Sequence, residues 1–415
     1  MPILRGFPGQ GENKCRPAFE ESQVISASMP VYARADVAFA RGEGAYLYAE
    51  DGRKFLDFGA GIAVVALGHC HPHLVEALKA QAGRLWHTSN LYHIPLQERL
   101  AERLVDASFA DSVFFCNSGA EAIECGLKMI RKYHDDAGQP DRYRVIACTN
   151  GFHGRTLATI AAAGQEKLLK GFLPAMDGFD HVAFGNLNEM RAAIGDETAA
   201  ILVEPIQGEG GMVAASDDYL QGLRWIADEY GLLLMFDEVQ CGMGRTGRLF
   251  AHEWSGVKPD ILAAAKGLGG GFPVGACLAN EKAAKAMTAG SHGSTFGGNP
   301  LAMAVANAVL DVMLKDGFFD GVRRTAAYLW QRLEALVKAH PRVVSEVRGK
   351  GLMIGLKCVG ENAKLVSRLM AGGLITVPAG DNTVRLVPPL VIERKHVDEA
   401  AAVLDRACAE TAAAA

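Results

Sequence analysis

The run Leu232-Leu233-Leu234-Met235-Phe236, closed by Asp237-Glu238-Val239-Gln240, constrains the fold more than any other stretch. A half-buried strand alternates apolar and polar residues. An unbroken apolar run of this length suits a strand covered on both faces, as in a parallel sheet. A second run, Ile261-Leu262-Ala263-Ala264-Ala265, ends in Lys266 and the glycine-rich Gly267-Leu268-Gly269-Gly270-Gly271. Open α/β sheets bind ligands at the carboxyl ends of their strands, so an aspartate and a lysine are delivered to one such edge.

A lysine set among apolar residues loses hydration; its pKa falls and its amine becomes nucleophilic. The glycines remove side chains where a flat ligand approaches the backbone. An aspartate opposite can hold a proton on a pyridine nitrogen, so the pair suits a pyridoxal phosphate Schiff-base enzyme. Plainer readings exist: Asp-Glu after an apolar strand can hold magnesium in a nucleotide hydrolase, and a lysine before glycines can be a solvated loop residue. The hydrolase also needs G-x-x-x-x-G-K-[ST]. Gly242-Met243-Gly244-Arg245-Thr246-Gly247 lacks that lysine, and no other segment supplies it.

At 415 residues the chain exceeds one ordinary core, so two domains are expected. A net charge of -5 gives no electrostatic reason to expect nucleic-acid binding. The nine cysteines are scattered, without a C-x-x-C pair, which points to a reducing cytoplasm. No apolar run approaches the ~18 residues of a membrane span. The histidines of Gly68-His69-Cys70-His71-Pro72-His73 lack a carboxylate or second thiol, so no metal is expected there.

Residues 1–28 mix Pro, Gly, Lys, Glu and Ser without periodicity, and an arm without fixed order is expected before Met29. Residues 46–58 read as a hairpin turning at Glu50-Asp51-Gly52. Leu96, Leu100, Leu104 and Ala107 mark one face of a helix. Val113–Cys116, Arg144–Cys148 and Ala200–Val203 read as further strands, with a helix over Tyr219–Tyr230, so the sheet should be largely parallel. After Val113–Cys116 comes Asn117-Ser118-Gly119-Ala120-Glu121-Ala122. Its free helix-start N–H groups suit a phosphate, and Ser118 with Glu121 equally suits a plain N-cap. The tail carries a helix over Thr325–Ala339, a strand at Thr383–Val387 and a helix around Val397–Cys408.

Six ordered segments carry a resemblance. They are Asn-Ser-Gly-Ala-Glu-Ala at 117–122, Phe-His-Gly-Arg-Thr at 152–156 and Glu-Pro-Ile-Gln-Gly-Glu-Gly-Gly at 204–211. Asp-Glu-Val-Gln at 237–240, Lys-Gly-Leu-Gly-Gly-Gly-Phe-Pro at 266–273 and His-Gly-Ser-Thr-Phe-Gly-Gly-Asn-Pro at 292–300 complete them. From about Met29 to Ala409 the chain resembles the class III (subgroup II) pyridoxal-phosphate aminotransferases, most nearly the acetylornithine aminotransferases.

The resemblance implies a fold-type-I α/β homodimer with a mostly parallel large domain over 65–310 and a small α+β domain from 29–64 and 311–415. It implies that Lys266 bonds the cofactor and then moves a proton, and that Asp237 pairs with the ring nitrogen. Gln240 would reach the phenolic oxygen, with Glu238 and Val239 in the same cofactor-binding segment. Phe152 would stack on the ring, although core packing also suits it. Ser118, Gly119 and Ala120 would hold the phosphate, joined by Thr295 of the neighbouring subunit. Arg155 and Ser294 would meet the substrate carboxylate. Arg385 would meet the α-carboxylate of glutamate, and Glu209 would pair with Arg385 when the δ-amino donor is bound.

Ile62 stands where the ornithine δ-aminotransferases tend to carry a tyrosine that meets free ornithine's α-amino group. An apolar side chain there suits an acylated amine. The expected donor is N-acetylornithine, with succinylornithine, succinyldiaminopimelate, ornithine and 4-aminobutyrate as alternatives, and the expected acceptor is 2-oxoglutarate.

Overall fold

The two apolar runs form neighbouring strands because each can bury both of its faces. In the computed structural model, which describes residues 27–414, they pair in parallel within a seven-stranded sheet. The strands of this sheet, in chain order, are β1 (Ser112–Cys116), β2 (Arg144–Cys148), β3 (Phe179–Val182), β4 (Thr198–Val203), β5 (Leu233–Asp237), β6 (Ile261–Ala264) and β7 (Gly275–Ala279). Their spatial order is β1-β7-β6-β5-β4-β2-β3. All pairings are parallel except those of β7, which runs antiparallel to both β6 and β1. The largely parallel sheet expected from the sequence is present. The reversal of β7 was not anticipated, because Gly-Ala-Cys-Leu-Ala carries no sign of direction.

Alternate residues of one strand enter different cores. Leu233 and Met235 pack with Ile123 and Ile130 of helix α1 (Gly119–Asp136), whereas Leu234 and Phe236 pack with Leu220, Leu223 and Ile226 of helix α2 (Asp217–Tyr230). All five residues of β5 are buried, which explains the missing alternation. Helix α2 begins where the Ser216 side chain accepts the Tyr219 N–H at 3.1 Å, and it stops at Gly231, whose φ of 64° only glycine adopts cheaply.

The hairpin read over 46–58 is present as Tyr46–Ala49 paired with Lys54–Asp57, flanked by Phe39–Glu43. Leu374–Ile375 adds in parallel to Lys54–Asp57, so early and late parts of the chain share one sheet. A separate four-stranded sheet holds Val344–Lys350, Met353–Cys358, Thr383–Leu386 and Val377–Ala379 in that order. The helix expected from Thr325 starts earlier, at Phe318, and a helix at Pro72–Ala82 follows what reads in the sequence as a turn. Residues 27–38 contain no helix or strand, and within them Arg34 donates to the Ser28 hydroxyl at 3.2 Å. The expected disorder before Met29 falls on residues 1–26, which lie outside the described residues.

Helix α1 sits close to the sheet at Gly126, where an added Cβ would lie 2.4 Å from Met235 Cε and 3.3 Å from Ile261 Cγ2. Gly126→Val is therefore expected to overpack this contact, lowering stability by about 1–3 kcal/mol, read as a fall in the guanidinium midpoint.

Candidate active site

At the carboxyl edge of the sheet the chain must turn, and the polar residues that follow each apolar strand are gathered there. Beyond β2, β4, β5, β6 and β1 come His153, Glu204, Asp237, Lys266 and Ser118 in turn, and all five line one cavity of about 330 Å³. Because β7 is reversed, it starts rather than ends at this edge, and the loop before it adds Gly271 to Val274 to the wall. A volume near 300 Å³ accommodates a small cofactor and little more.

Lys266 follows β6 with a φ of 46°, a left-handed conformation costly for a residue with a side chain. Among the described residues its amine has no hydrogen-bond or ion-pair partner. Burial, reinforced by the charge of Arg385, lowers its pKa to about 8. Asp237 is buried, with Oδ1 accepting the Val239 N–H at 3.0 Å and Oδ2 lying 2.8 Å from His153 Nδ1. Burial alone would depress His153, but the hydrogen bond and charge of Asp237 outweigh it and hold its pKa above the ordinary imidazole value. Glu204 accepts the Phe152 N–H at 2.8 Å, and burial together with the Asp237 charge pushes its carboxyl well above the usual range.

On β1's side, Ser118 caps α1 by accepting the Glu121 N–H at 3.3 Å, while the Glu121 carboxylate takes the Asn117 N–H at 2.8 Å. The N–H groups of Gly119 and Ala120, in the first turn, have no intrahelical acceptor, and both residues line the cavity. Both readings of this segment, N-cap and anion site, are thus compatible in one helix start. A Cβ on Gly119 would lie 2.7 Å from Val239 Cγ1, so glycine is needed where the helix start meets that wall.

Of the residues singled out from the sequence, Ser118, Gly119, Ala120, Phe152, Asp237, Val239, Gln240 and Lys266 line the cavity. Glu238 does not: its carboxylate turns the other way and accepts the His252 N–H at 2.8 Å, with the Ala251 N–H as a further donor. Alternation along the strand end sends neighbouring side chains to opposite sides, and Glu238 finds its donors there.

Arg385, from Thr383–Leu386, is 1% exposed and donates to Glu209 Oε1 at 2.5 Å and Gln240 Oε1 at 2.9 Å. Its Nε is buried without a partner. Glu209 sits in the turn between Ile206–Gln207 and Val213–Ala214. Arg155 is exposed, with its guanidinium 5.4 Å from the centre of the Phe152 ring. Ser294 is joined to the cavity edge through Asn117 Nδ2 at 3.3 Å, and Thr295 beside it is exposed and does not line the cavity. Ile62 is partly exposed, whereas Val64, two residues on, lines the cavity.

Sequence reasoning singled out neither His153 nor Glu204. His153 stands directly beside Phe152 and Glu204 at the end of an expected strand, but the signal that unites them is the adjacency of β2, β4 and β5, which no local pattern encodes.

The family model described as Aminotransferase class-III matches residues 29–408. The chain belongs to that family. It is 58% identical over 375 residues to an acetylornithine aminotransferase of Mesorhizobium japonicum, covering 90% of this chain and 94% of the relative. A Brucella suis acetylornithine aminotransferase is 57% identical over 380 residues, with 92% and 94% covered. Among solved structures, the N-acetylornithine aminotransferase from Stenotrophomonas maltophilia matches with a TM-score of 0.82 and 39% identity, covering 92% of this chain and 98% of that one. The Toxoplasma gondii ornithine aminotransferase matches with a TM-score of 0.90 and 30% identity, over 94% of each chain. One structure of the latter enzyme has pyridoxal phosphate at partial occupancy in its active site.

Class-III aminotransferases work with pyridoxal phosphate. The donor set of the cavity fits that group: an unpartnered buried amine, a buried carboxylate, free helix-start N–H groups, and Phe152 and Val239 as apolar surfaces.

Folding sets the Lys266 amine against its own burial, with a testable sign. Between about 8 and the ordinary 10.5 the folded chain binds fewer protons at this lysine than the unfolded chain, so its stability rises with pH there. Lys266→Met is expected to stabilise the cofactor-free protein below pH 8, with the advantage shrinking between pH 8 and 10.5, as read from thermal midpoints of both proteins across that range.

Proposed function

We propose that this chain transfers the δ-amino group of N2-acetyl-L-ornithine to 2-oxoglutarate, giving N-acetyl-L-glutamate 5-semialdehyde and L-glutamate, as a step of arginine biosynthesis. The observation that carries the reading is a complete lysine–aspartate cavity in a chain 57–58% identical, over at least 90% of its length, to proteins named acetylornithine aminotransferase.

Pyridoxal phosphate, when bound, supplies an aldehyde that exchanges amino groups and a ring that takes up the electron pair of a broken carbon–hydrogen bond. Lys266 would be its covalent anchor; the low pKa of about 8 leaves an appreciable uncharged fraction of the amine, which would also hold or move a proton at Nζ. Asp237, held by His153 on one oxygen, would keep a proton on the ring nitrogen. The N–H groups of Gly119 and Ala120, with Ser118, would hold the phosphate at the positive end of α1. Phe152 and Val239 would supply apolar surfaces for the ring. The Gln240 amide oxygen accepts from Arg385, which would leave its amide N–H for the phenolic oxygen.

Two kinds of substrate share the site in turn, a donor with one carboxylate and a dicarboxylate acceptor. Arg385 receives the α-carboxylate of glutamate or 2-oxoglutarate with the Nε that has no protein partner, and Glu209 neutralises it while the donor is bound. Arg155, exposed beside Phe152, receives the carboxylate at the other end, with Ser294 nearby. Ile62 offers an apolar contact to the acyl group.

The unit is a homodimer in which Thr295 reaches the partner's phosphate site, so each active site is completed by the other chain. Support comes from Leu85, Trp86, Leu91, Tyr92 and Phe296, all exposed in one chain, with Asn90 hydrogen-bonded to the Gly297 carbonyl at 2.9 Å. The domain limits near residues 64 and 310 are part of the same reading: the seven-stranded sheet draws only on residues 112–279, and both four-stranded sheets draw on residues outside 65–310. The enzyme works in the cytoplasm; no helix among the described residues is long and apolar enough to cross a membrane.

N-acetylornithine is expected to bleach the visible absorbance of the bound cofactor and 2-oxoglutarate to restore it, with ornithine, succinylornithine and 4-aminobutyrate less effective; no change with any acylated donor would sink the substrate assignment. Lys266→Ala should abolish both turnover and covalent cofactor attachment, checked by mass spectrometry after borohydride reduction. Arg385→Gln should lower kcat/KM for 2-oxoglutarate by about 10–100-fold, the worth of a hydrogen bond to a charged group.

A further inference from the structure

Residues 60–63 carry backbone conformations that their side chains resist. Their φ values are 47° at Ala60, 62° at Gly61, 64° at Ile62 and 62° at Ala63. Left-handed residues normally occur singly, and a β-branched side chain at such a φ is an outlier. Only Gly61 adopts this conformation freely. Three strained residues around one glycine persist only if the surroundings over-determine them.

The surroundings do so through one carboxylate. Asp57 has a side chain 2% exposed; its Oδ1 accepts the Gly59 N–H at 2.9 Å and the Ala60 N–H at 2.8 Å. Its Oδ2 lies 2.7 Å from His69 Nε2. The His69 backbone is fixed in turn, its N–H donating to the Gly44 carbonyl at 2.7 Å and its carbonyl accepting the Gly44 N–H at 3.0 Å. The turn closes on itself where the Val64 and Val65 N–H groups reach the Ala60 carbonyl at 2.8 and 2.9 Å. It exits onto the catalytic edge: Val64 lines the cavity, and a Cβ on Gly267 would touch Ala66 Cβ at 3.4 Å, one residue beyond Lys266.

We propose that Asp57 is a positioning residue for donor selection, clamping a strained left-handed turn so that Ile62 and Val64 form a fixed apolar wall for the donor's acyl end. The assignment rests on the acyl-donor reading given above. Asp57 touches neither cofactor nor substrate; it acts through the turn. Without the clamp, Ala60, Ile62 and Ala63 relax toward right-handed or extended backbone, and the wall loses its definition.

The test compares holoenzymes for kcat/KM with N-acetylornithine, ornithine and 4-aminobutyrate, together with cofactor absorbance and the donor Kd from its bleaching. Asp57→Ala should lower the ratio between the preferred and the least preferred donor about tenfold, mostly through KM, with cofactor content unchanged. Asp57→Asn, which keeps an oxygen for the two N–H groups, should restore the ratio. Ala60→Gly in the Asp57→Ala background should recover part of it, because glycine makes the left-handed turn cheap without the clamp. That rescue would not follow from a general loss of packing. If the alanine variant does not fold, Asp57→Ser carries the same expectations. An unchanged ratio in the folded variant, or no recovery on adding Ala60→Gly, overturns the clamp. A native enzyme that prefers a non-acylated donor overturns the substrate reading instead, and the ratio still tests the clamp for whichever donor it prefers.

Discussion

Burying both faces of β4, β5 and β6 leaves the ends of these strands as the only places where polar chemistry can sit. The interior residues of β4 and β5 are excluded from water on both sides by α1 and α2, so Leu, Ile, Val, Met and Phe fill them. Polar groups are displaced to the carboxyl edge, where they are crowded into a space already short of solvent. The perturbed acids and bases of the site follow from that crowding. A lysine, three carboxylates, a histidine and an arginine share a region of low polarizability, and each must find a partner or give up its charge. Asp237 holds the His153 pKa up, Arg385 is hydrogen-bonded to Glu209, and Glu204 is driven toward its neutral form.

Lys266 is the exception. It has neither partner nor counter-charge at hydrogen-bonding distance among the described residues, and it stands in a strained backbone conformation. Stability is lost at this position in return for a reactive amine, the usual relation between strain and a functional group. The neighbouring Arg385 adds to the effect on Lys266 while itself hydrogen-bonded to Glu209, so the charges of this pair act on the lysine.

What could be read from the residues alone divides along a physical line. Asp237 and Lys266 were legible because each ends an apolar run, and Ser118 because a helix start after a strand has recognisable chemistry. His153 and Glu204 were not, since their meeting depends on the order of β2, β4 and β5 across the sheet, a tertiary property. The contact between Arg385 and Gln240 joins residues 145 apart, and only the resemblance suggested where Arg385 belongs. Glu238 shows the opposite limit: adjacency to Asp237 made it a candidate, but alternation along the strand carried its side chain to His252. The direction of β7 had no local signature at all, because five small or apolar residues fit a buried strand running either way.

That reversed strand also orders events in time. β7 is the only bridge between β1 and the rest of the sheet, pairing Ser112 with Ala279 on one side and Ile261 with Ala279 on the other. A growing chain therefore cannot join its anion-binding helix start to its lysine until the segment around residue 279 has been synthesised. Closing so long a loop is slow and entropically costly, and it pays off only when the whole sheet is in hand. The binding site is thus a late product of folding, and a chain truncated before β7 would hold every residue named for the cofactor except Thr295 and still lack a place to put it.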